Sequence, residues 1–192
     1  AEFTFVQTKD VSSDTPGIRG INFKPDGTRM YITNRENIPN ARKAYMIEYS
    51  LSKPFDISTA TISFSGGSPK GTPLDCDGAG GDDQMELPHA IEFKPDGTRM
   101  FITSNQNFSE NPDVAVYQFK LTTPWDSTTL VCEKIYEVDV DGGGEEDQVR
   151  TLDFNPDGTR MFVGGRDEDK IRQFDLATPF DLRSGVTPGG IS

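Results

Sequence analysis

Histidine and cysteine are scarce in this chain, which has one histidine, His89, and two cysteines, Cys76 and Cys132, among 192 residues. A catalytic triad needs a nucleophile, a base and an orienting group, yet no Gly-x-Ser-x-Gly elbow or phosphate-binding glycine loop accompanies the single histidine. Two cysteines are too few for a disulfide-rich scaffold and do not have the spacing of a metal site. The sequence leaves open whether they bridge neighbouring units or are unrelated thiols.

Long apolar runs and excess positive charge are also absent. No stretch approaches the roughly 18 apolar residues of a membrane helix. The formal charge of −12 repels nucleic acid and anionic lipid, so we expect neither nucleic-acid binding nor membrane insertion. The chain begins at Ala1 rather than Met, which fits a processed N-terminus after signal-peptide removal. We therefore expect a secreted protein, extracellular or at the cell surface.

What the sequence does contain is a threefold internal repeat. The three copies read GINFKPDGTRMYIT from Gly20, AIEFKPDGTRMFIT from Ala90 and TLDFNPDGTRMFVG from Thr151. In each copy two short alternating strands flank a Pro-Asp-Gly turn, in which proline presets φ, aspartate bonds its own backbone and glycine accepts positive φ. Each copy therefore predicts a β-hairpin.

Further strands follow each hairpin. A third strand is predicted in all three copies, before a Leu-x-x-Pro-aromatic-Asp turn, and a fourth in the first two. The third strands span residues 44–49, 115–119 and 170–174, and the fourth strands span 60–64 and 129–138. Four antiparallel strands in sequence order are typical of a propeller blade. The sequence thus predicts an all-β chain of three four-stranded blades.

The third copy has no convincing fourth strand, whereas residues 1–9 alternate like a spare one. We expect this N-terminal strand to complete the last blade, either its own or a neighbour's. The whole chain is then one propeller-like repeat domain. Its predicted parts are the N-terminal strand 1–9, blade one 17–65, blade two 87–140 and blade three 148–183.

The Phe-x-Pro-Asp-Gly-Thr-Arg-Met hairpin resembles the repeats of TolB-like and YVTN-type β-propellers, and the resemblance covers all three units. Members of that loose superfamily include scaffolds, partner-binding modules, surface proteins and a minority of enzymes. The resemblance therefore implies a propeller fold, often in an extracytoplasmic protein, and implies little about activity.

Two sets of residues occupy equivalent repeat positions near the ends of the predicted strands. Arg19, His89 and Arg150 precede the first strand of each unit, and they would form a ligand-binding cluster at one channel mouth if that strand lines a central channel. The alternative is three exposed side chains paired with the abundant carboxylates. The second set, Arg35, Asn105 and Arg166, follows the second strand and could line a binding face.

Two acidic, glycine-rich loops precede the second and third hairpins. Ca²⁺ takes six to eight oxygen ligands, and alternating aspartates with glycine bends can wrap it. The candidate ligands are Asp75, Asp77, Asp82, Asp139, Asp141 and Glu145, although ordinary solvated turns have the same composition. Asn107 lies in the one Asn-x-Ser/Thr sequon and is a candidate glycosylation site in a secreted protein.

These observations favour a non-enzymatic extracellular structural or adhesive protein. We expect it to self-associate by strand complementation into an oligomer or a filament, with possible bound Ca²⁺. The alternative is a propeller module that binds a carbohydrate or a protein through its blade-top loops. A propeller hydrolase or lactonase is disfavoured because such enzymes usually place metal-binding carboxylates or histidines around the channel, and this chain has one histidine.

Overall fold

The computed structural model describes residues 4–15, 17–38, 41–63, 71–76, 85, 87–105, 114–138, 149–165 and 170–188. Within these ranges the side chains of residues 35–38 and 41–43 are not described. Among the described residues, the helical segments are two single 3-10 turns, Ile57–Thr59 and Ser127–Thr129, which each follow an aspartate cap. No helix in this part of the chain is long and apolar enough to cross a membrane.

Three antiparallel sheets follow one another along the described chain, and each takes four strands in sequence order. The first sheet has a fifth, two-residue strand that pairs with its third strand. Blade one contains β1 (Ile18–Phe23), β2 (Arg29–Ile38), β3 (Ala41–Leu51), β4 (Ala60–Ile62) and β5 (Thr72–Pro73). Blade two contains β6 (Leu87–Phe93), β7 (Arg99–Asn105), β8 (Val114–Leu121) and β9 (Leu130–Glu137). Blade three contains β10 (Val149–Phe154), β11 (Arg160–Gly165), β12 (Ile171–Thr178) and β13 (Asp181–Pro188). The predicted all-β, propeller-like architecture is confirmed.

The fourth strand of blade three differs from the prediction. β13 pairs with β12 from Thr178–Asp181 to Phe174–Pro188, so blade three completes itself. Residues 4–10 form no strand, and Phe5 and Val6 are exposed. The alternating pattern of the N-terminal segment was a poor guide because pairing depends on a free neighbouring edge, and β13 already occupies the edge of β12.

Apolar side chains fill the spaces between blades. One buried cluster joins blades one and two through residues such as Tyr31, Phe93 and Tyr117, and a second joins blades two and three through Phe101 and Phe174. The repeated methionines Met30, Met100 and Met161 are buried, as expected of core residues. A third cluster covers the far side of blade one, where Val11 packs.

The Pro-Asp-Gly turn and the Leu-x-x-Pro-aromatic-Asp turn are joined in each blade. Gly97 has φ of +72°, and its carbonyl accepts a 3.0 Å hydrogen bond from the amide of Trp125. The aromatic residues at this position have positive φ, and each ring lies against the turn glycine so closely that a Cβ there would overlap it. These residues are Phe55, Trp125 and Phe180. Trp125 is therefore a packing residue.

Candidate functional site

The first strands of the three blades, β1, β6 and β10, lie next to one another and are called the inner strands here. One extra residue interrupts each inner strand at the same repeat position. Register shifts occur where β1 pairs with β2, β6 with β7, and β10 with β11. In blade one the pairs on either side of the shift are Ile18–Asn34 and Gly20–Thr33, which leaves Arg19 as the extra residue. The residues at this position in the other two blades are His89 and Arg150. A β-bulge re-aims a side chain out of the regular pleat, and bulges are common next to active sites.

Threonine and small residues shape these bulges. The amide of Gly20 donates to Thr33 Oγ1, and the amide of Ala90 donates to Thr103 Oγ1, both at 2.9 Å. These bonds satisfy amides that the bulge removes from the ladder. A Cβ on Gly20 would overlap the carbonyl oxygen of His89, so β1 and β6 approach each other closely at this point.

His89 lies between the two arginines of the equivalent positions. Arg150 Nη1 is 3.3 Å from His89 Nδ1, and His89 is buried whereas Arg19 is exposed. Burial, followed by the positive charges of Arg150 and then Arg19, lowers the pKa of His89 to about 4. The imidazole is therefore neutral at physiological pH. Because a guanidinium can only donate, Nδ1 accepts from Arg150 and the ring proton lies on Nε2.

A carboxylate of unusual pKa lies three residues further along β6. Burial, and then the negative charge of Asp153, raise the pKa of Glu92 to about 7. A hydrogen bond with Asn22 opposes this shift, and Asn22 Nδ2 also donates to the carbonyl oxygen of Ile91 at 3.0 Å. Asn22, Glu92 and Asp153 occupy one repeat position, so the inner strands of all three blades contribute to this polar group.

Both groups belong to β6 and interact with blade three. His89 contacts Arg150 of blade three, Ala90 packs against the cluster between blades two and three, and Glu92 is influenced by Asp153. Three residues of strand span about 10 Å, so a sugar-sized molecule could contact both side chains at once. The structure thus places a group of pKa near 7 on the same strand as His89, the central member of a cluster of nitrogen groups contributed by β1, β6 and β10.

Polar atoms without partners occur beside the bulges. Asn34 Oδ1, Ser104 Oγ and Asn105 Oδ1 are buried, and each lacks a hydrogen-bond partner in the part of the chain that the structure describes. Asn34 and Ser104 occupy one repeat position, directly after the threonines that support the bulges. Buried polar atoms are normally satisfied, so this end of the inner strands has spare hydrogen-bonding capacity. Of the second predicted set, Asn105 is thus buried, the side chain of Arg35 is not described, and Arg166 lies outside the described residues.

One of the six predicted calcium ligands, Asp75, lies within the described residues. Asp77, Asp82, Asp139, Asp141 and Glu145 lie outside the described residues, as does the sequon residue Asn107. Asp75 follows β5, and the described residues contain no group of three or more potential metal ligands. Calcium binding and glycosylation stay predictions.

Cys76 and Cys132 form a disulfide, with 5.0 Å between their Cα atoms. The bond connects the segment after β5 with the outer strand β9, and both cysteines pack against the cluster between blades one and two. The disulfide therefore joins neighbouring units, the first of the two alternatives that the sequence left open.

Comparison with known proteins supports the fold. No family model and no curated protein sequence matches the chain. Among solved structures, it is similar to a periplasmic gluconolactonase from Pseudomonas aeruginosa, with a TM-score of 0.53 and 16% identity over 89% of this chain and 39% of that one. It is also similar to a putative 6-phosphogluconolactonase from Bacteroides uniformis ATCC 8492, with a TM-score of 0.52 and 17% identity over 91% of this chain and 42% of that one. The chain thus spans about two fifths of the length of each structure.

These findings correct the functional prediction. The expectation of a non-enzymatic structural or adhesive protein is wrong, because the two solved structures described above are named as a gluconolactonase and a putative 6-phosphogluconolactonase. Assembly by strand complementation is wrong as well, because blade three has its own fourth strand and residues 4–10 form none. The prediction rested on the scarcity of histidine and did not consider Glu92, a carboxylate whose pKa depends on neighbouring blades. The fold is propeller-like, and nothing in these similarities singles out the TolB-like or YVTN-type propellers.

Proposed function

We propose that this chain is part of a hydrolase that opens a sugar lactone, with Glu92 as the general base. The observation that carries the proposal is the position of Glu92, whose pKa is about 7, three residues along β6 from His89, which contacts Arg150. A general base is most effective when its pKa lies near the working pH. Glu92 meets that condition without a metal ion.

The reaction assigns a role to each group. Glu92 takes a proton from a water molecule whose oxygen adds to the lactone carbonyl carbon, and negative charge develops on the carbonyl oxygen. His89 Nε2–H and the guanidinium of Arg150 donate to that oxygen, which stabilises the tetrahedral intermediate. The intermediate collapses with cleavage of the ring C–O bond, and the leaving oxygen takes the proton from Glu92. The product is a hydroxy acid.

Arg19 is suited to bind negative charge on the substrate or product. It is exposed, it occupies the same bulge position as His89 and Arg150, and its charge is felt at His89. A guanidinium binds carboxylate or phosphate in a bidentate manner. An anionic sugar lactone is therefore the favoured substrate class.

Two further observations support the proposal and its setting. The solved structures of similar fold are named as a gluconolactonase and a putative 6-phosphogluconolactonase, and the first is named as periplasmic. The Cys76–Cys132 disulfide suits an oxidising compartment, which supports secretion or a periplasmic location. The Pro-Asp-Gly-Thr hairpins support membership of the TolB-like and YVTN-type propellers.

The test is proton release in a pH-stat with gluconolactone and 6-phosphogluconolactone, corrected for spontaneous hydrolysis. We expect acceleration by the protein, a 10²–10⁴-fold lower kcat/KM for Glu92→Gln, and a loss of about 10²-fold for Arg150→Met. Glu137→Gln makes the same chemical change on the exposed end of β9 and serves as the control. A folded protein that accelerates neither lactone, or a Glu92→Gln variant as active as Glu137→Gln, would refute the proposal.

A further inference from the structure

Both interfaces between blades are built from the same contact. Arg29 of blade one donates to the carbonyl oxygen of Trp125 in blade two at 2.7 Å, and Arg99 of blade two donates to that of Phe180 in blade three at 3.0 Å. Each arginine is the one in the Pro-Asp-Gly-Thr-Arg repeat, and each carbonyl belongs to the aromatic residue of positive φ. The arginine of one blade thus holds the turn of the next.

A ring and a polar side chain accompany each arginine. Tyr31 packs on Phe93 and Phe101 packs on Phe154, with 4.6 Å between ring centroids in both cases. On the neighbouring strand, Glu48 Oε2 accepts from the amide of Ser127 at 2.9 Å. Gln118 Oε1 accepts from the amide of Leu182 at 2.6 Å in the equivalent place. A buried apolar residue, Met46 in blade one and Val116 in blade two, completes the set. The interface therefore has four repeated components, which are an arginine, a ring, a polar acceptor and an apolar residue.

Blade three has the same four components on the side that faces away from blade two. They are Arg160, Phe162, Gln173 and Ile171, whose positions in the sheet match those of Arg99, Phe101, Gln118 and Val116. Ile171 is 82% exposed, whereas Val116 and Met46, at the same repeat position, are 0% exposed. The Arg160 side chain is 56% exposed and pairs with Asp175 of its own blade.

Blade one exposes the complementary half of the contact. Ile21 is 55% exposed, although Ile91 and Leu152, at the same repeat position, are 3% and 6% exposed. Phe55 is 57% exposed, against 7% for Phe180. Phe55 and Phe23 form a ring pair with centroids 5.7 Å apart, as Trp125 and Phe93 do at 5.2 Å. Tyr31 packs on Phe93 and Phe101 packs on Phe154, but within the described chain no ring of another blade packs on Phe23 in this way.

We propose that the open face of blade three binds the open face of blade one in a second copy of this chain. Arg160 then donates to the carbonyl oxygen of Phe55 of the partner subunit, and Phe162 packs on the partner subunit's Phe23. Ile171 is buried as Val116 is. Closed propellers contain about four to eight blades, and two copies of the 192-residue chain bring together six described blades, whereas three copies bring together nine. The expected particle is a dimer of six blades.

The N-terminal segment is compatible with this contact. Val11 packs into the apolar cluster on the far side of blade one, as Val138 does in the cluster between blades two and three. The cluster that contains Val138 still accommodates the neighbouring blade. Gln7 donates to Asp56 at 3.0 Å. The equivalent aspartate of blade three, Asp181, is contacted by Gln118 of blade two, so Gln7 occupies the place that a glutamine of the neighbouring blade takes at the interface between blades two and three. We expect Gln173 of the partner subunit to displace Gln7 on docking.

Light scattering coupled to size exclusion tests the proposal on the 192-residue chain. The expected mass is that of two 21.2 kDa copies. Ile171→Asp and Ile21→Asp alter opposite faces at exposed positions, so each should leave the fold intact by circular dichroism and give a monomer. Val131→Asp introduces the same charge at an exposed apolar residue of β9 and should remain dimeric.

Three results would overturn the proposal. They are a monomeric wild-type chain at every concentration at which it stays in solution, a mass that grows beyond two copies, and an Ile171→Asp variant that dimerises as Val131→Asp does. None of these readouts depends on lactone hydrolysis, so the proposal stands or fails separately from the proposed function.

Discussion

Arg99 contacts the carbonyl oxygen of Phe180 and the carboxylate of Asp181, two consecutive residues of the neighbouring blade. Its Nη1 is 3.0 Å from the carbonyl oxygen, and its Nη2 is 3.1 Å from Asp181 Oδ2. Its Nε also lies 3.1 Å from Glu133. One guanidinium therefore fixes the start of β13 against blade two, and the fork geometry of arginine explains why this position of the repeat is not a lysine.

Replacement of Arg99 by methionine should lower the free energy of unfolding by about 2 kcal/mol. The replacement removes the donor of the Phe180 carbonyl oxygen and one of the cationic partners of the Asp181 and Glu133 carboxylates. Lys120→Met is the matched control, since Lys120 pairs with Arg99 in register and is exposed. Its effect should stay within about 0.5 kcal/mol. Urea denaturation measures both, and equal effects would contradict the role given to Arg99.

Gly97→Ala should destabilise the chain by about 3 kcal/mol, because alanine there has an unfavourable positive φ and its Cβ overlaps the Trp125 ring. Gly185→Ala separates the two causes. Gly185 also has positive φ, at 106°, but a Cβ there would have its nearest neighbour at 3.8 Å. We expect a loss of about 1 kcal/mol for Gly185→Ala in thermal unfolding. Indistinguishable losses would show that ring contact contributes nothing.

Glu92 should make the stability depend on pH. Its pKa in the folded chain, about 7, lies above its ordinary value of 4.5. Between these values the unfolded chain loses the proton first, so the contribution of this group to stability falls as pH rises from 4.5 to 7 and then levels off. Glu92→Gln should remove that fall and be the more stable protein above pH 7. Denaturant titrations across this range check the sign, and a variant with an unchanged pH profile would contradict it.

The single histidine allows a direct measurement. In NMR titrations the ring signals of His89 should report a pKa of about 4, well below the ordinary value of 6.5. Arg150→Met removes a nearby positive charge and should move the midpoint upward, though only part of the way, because burial is the largest cause of the shift. Lys134→Met, an exposed change on β9, should leave the midpoint in place. A wild-type midpoint near 6.5 would mean that His89 is hydrated.

Removal of the disulfide should lower the free energy of unfolding by about 4 kcal/mol, since it closes a loop between residues 56 positions apart. The Cys76→Ser, Cys132→Ser double variant and the reduced wild type should unfold at the same urea concentration. Reductant should have no effect on the double variant. A reduced wild type as stable as the oxidised protein would contradict this prediction.

Local chemistry explains what could be predicted from the sequence. The hairpins around Pro25, Pro95 and Pro156 depend on turn residues adjacent in sequence, and all three formed as expected. β13 depends on a pairing with β12 that no motif marks. The repeat alignment placed Arg19, His89 and Arg150 at one position, and the structure brings His89 and Arg150 into contact, whereas ligand binding there stays a prediction. Glu92 was missed because its pKa is set by residues of two other blades. Its one signal was the sequence alignment with Asn22 and Asp153.

The bulge position has a consequence for how such a site can change over time. Because the extra residue of each inner strand lies outside the register of the ladder, cross-strand pairing does not fix its identity as it fixes that of its neighbours. Arginine and histidine alternate there while the surrounding Phe-x-Pro-Asp-Gly-Thr-Arg-Met frame stays nearly constant. The fold therefore offers one exchangeable side chain per blade, and duplication of a blade adds a new chemical group to the site at little cost to the sheet.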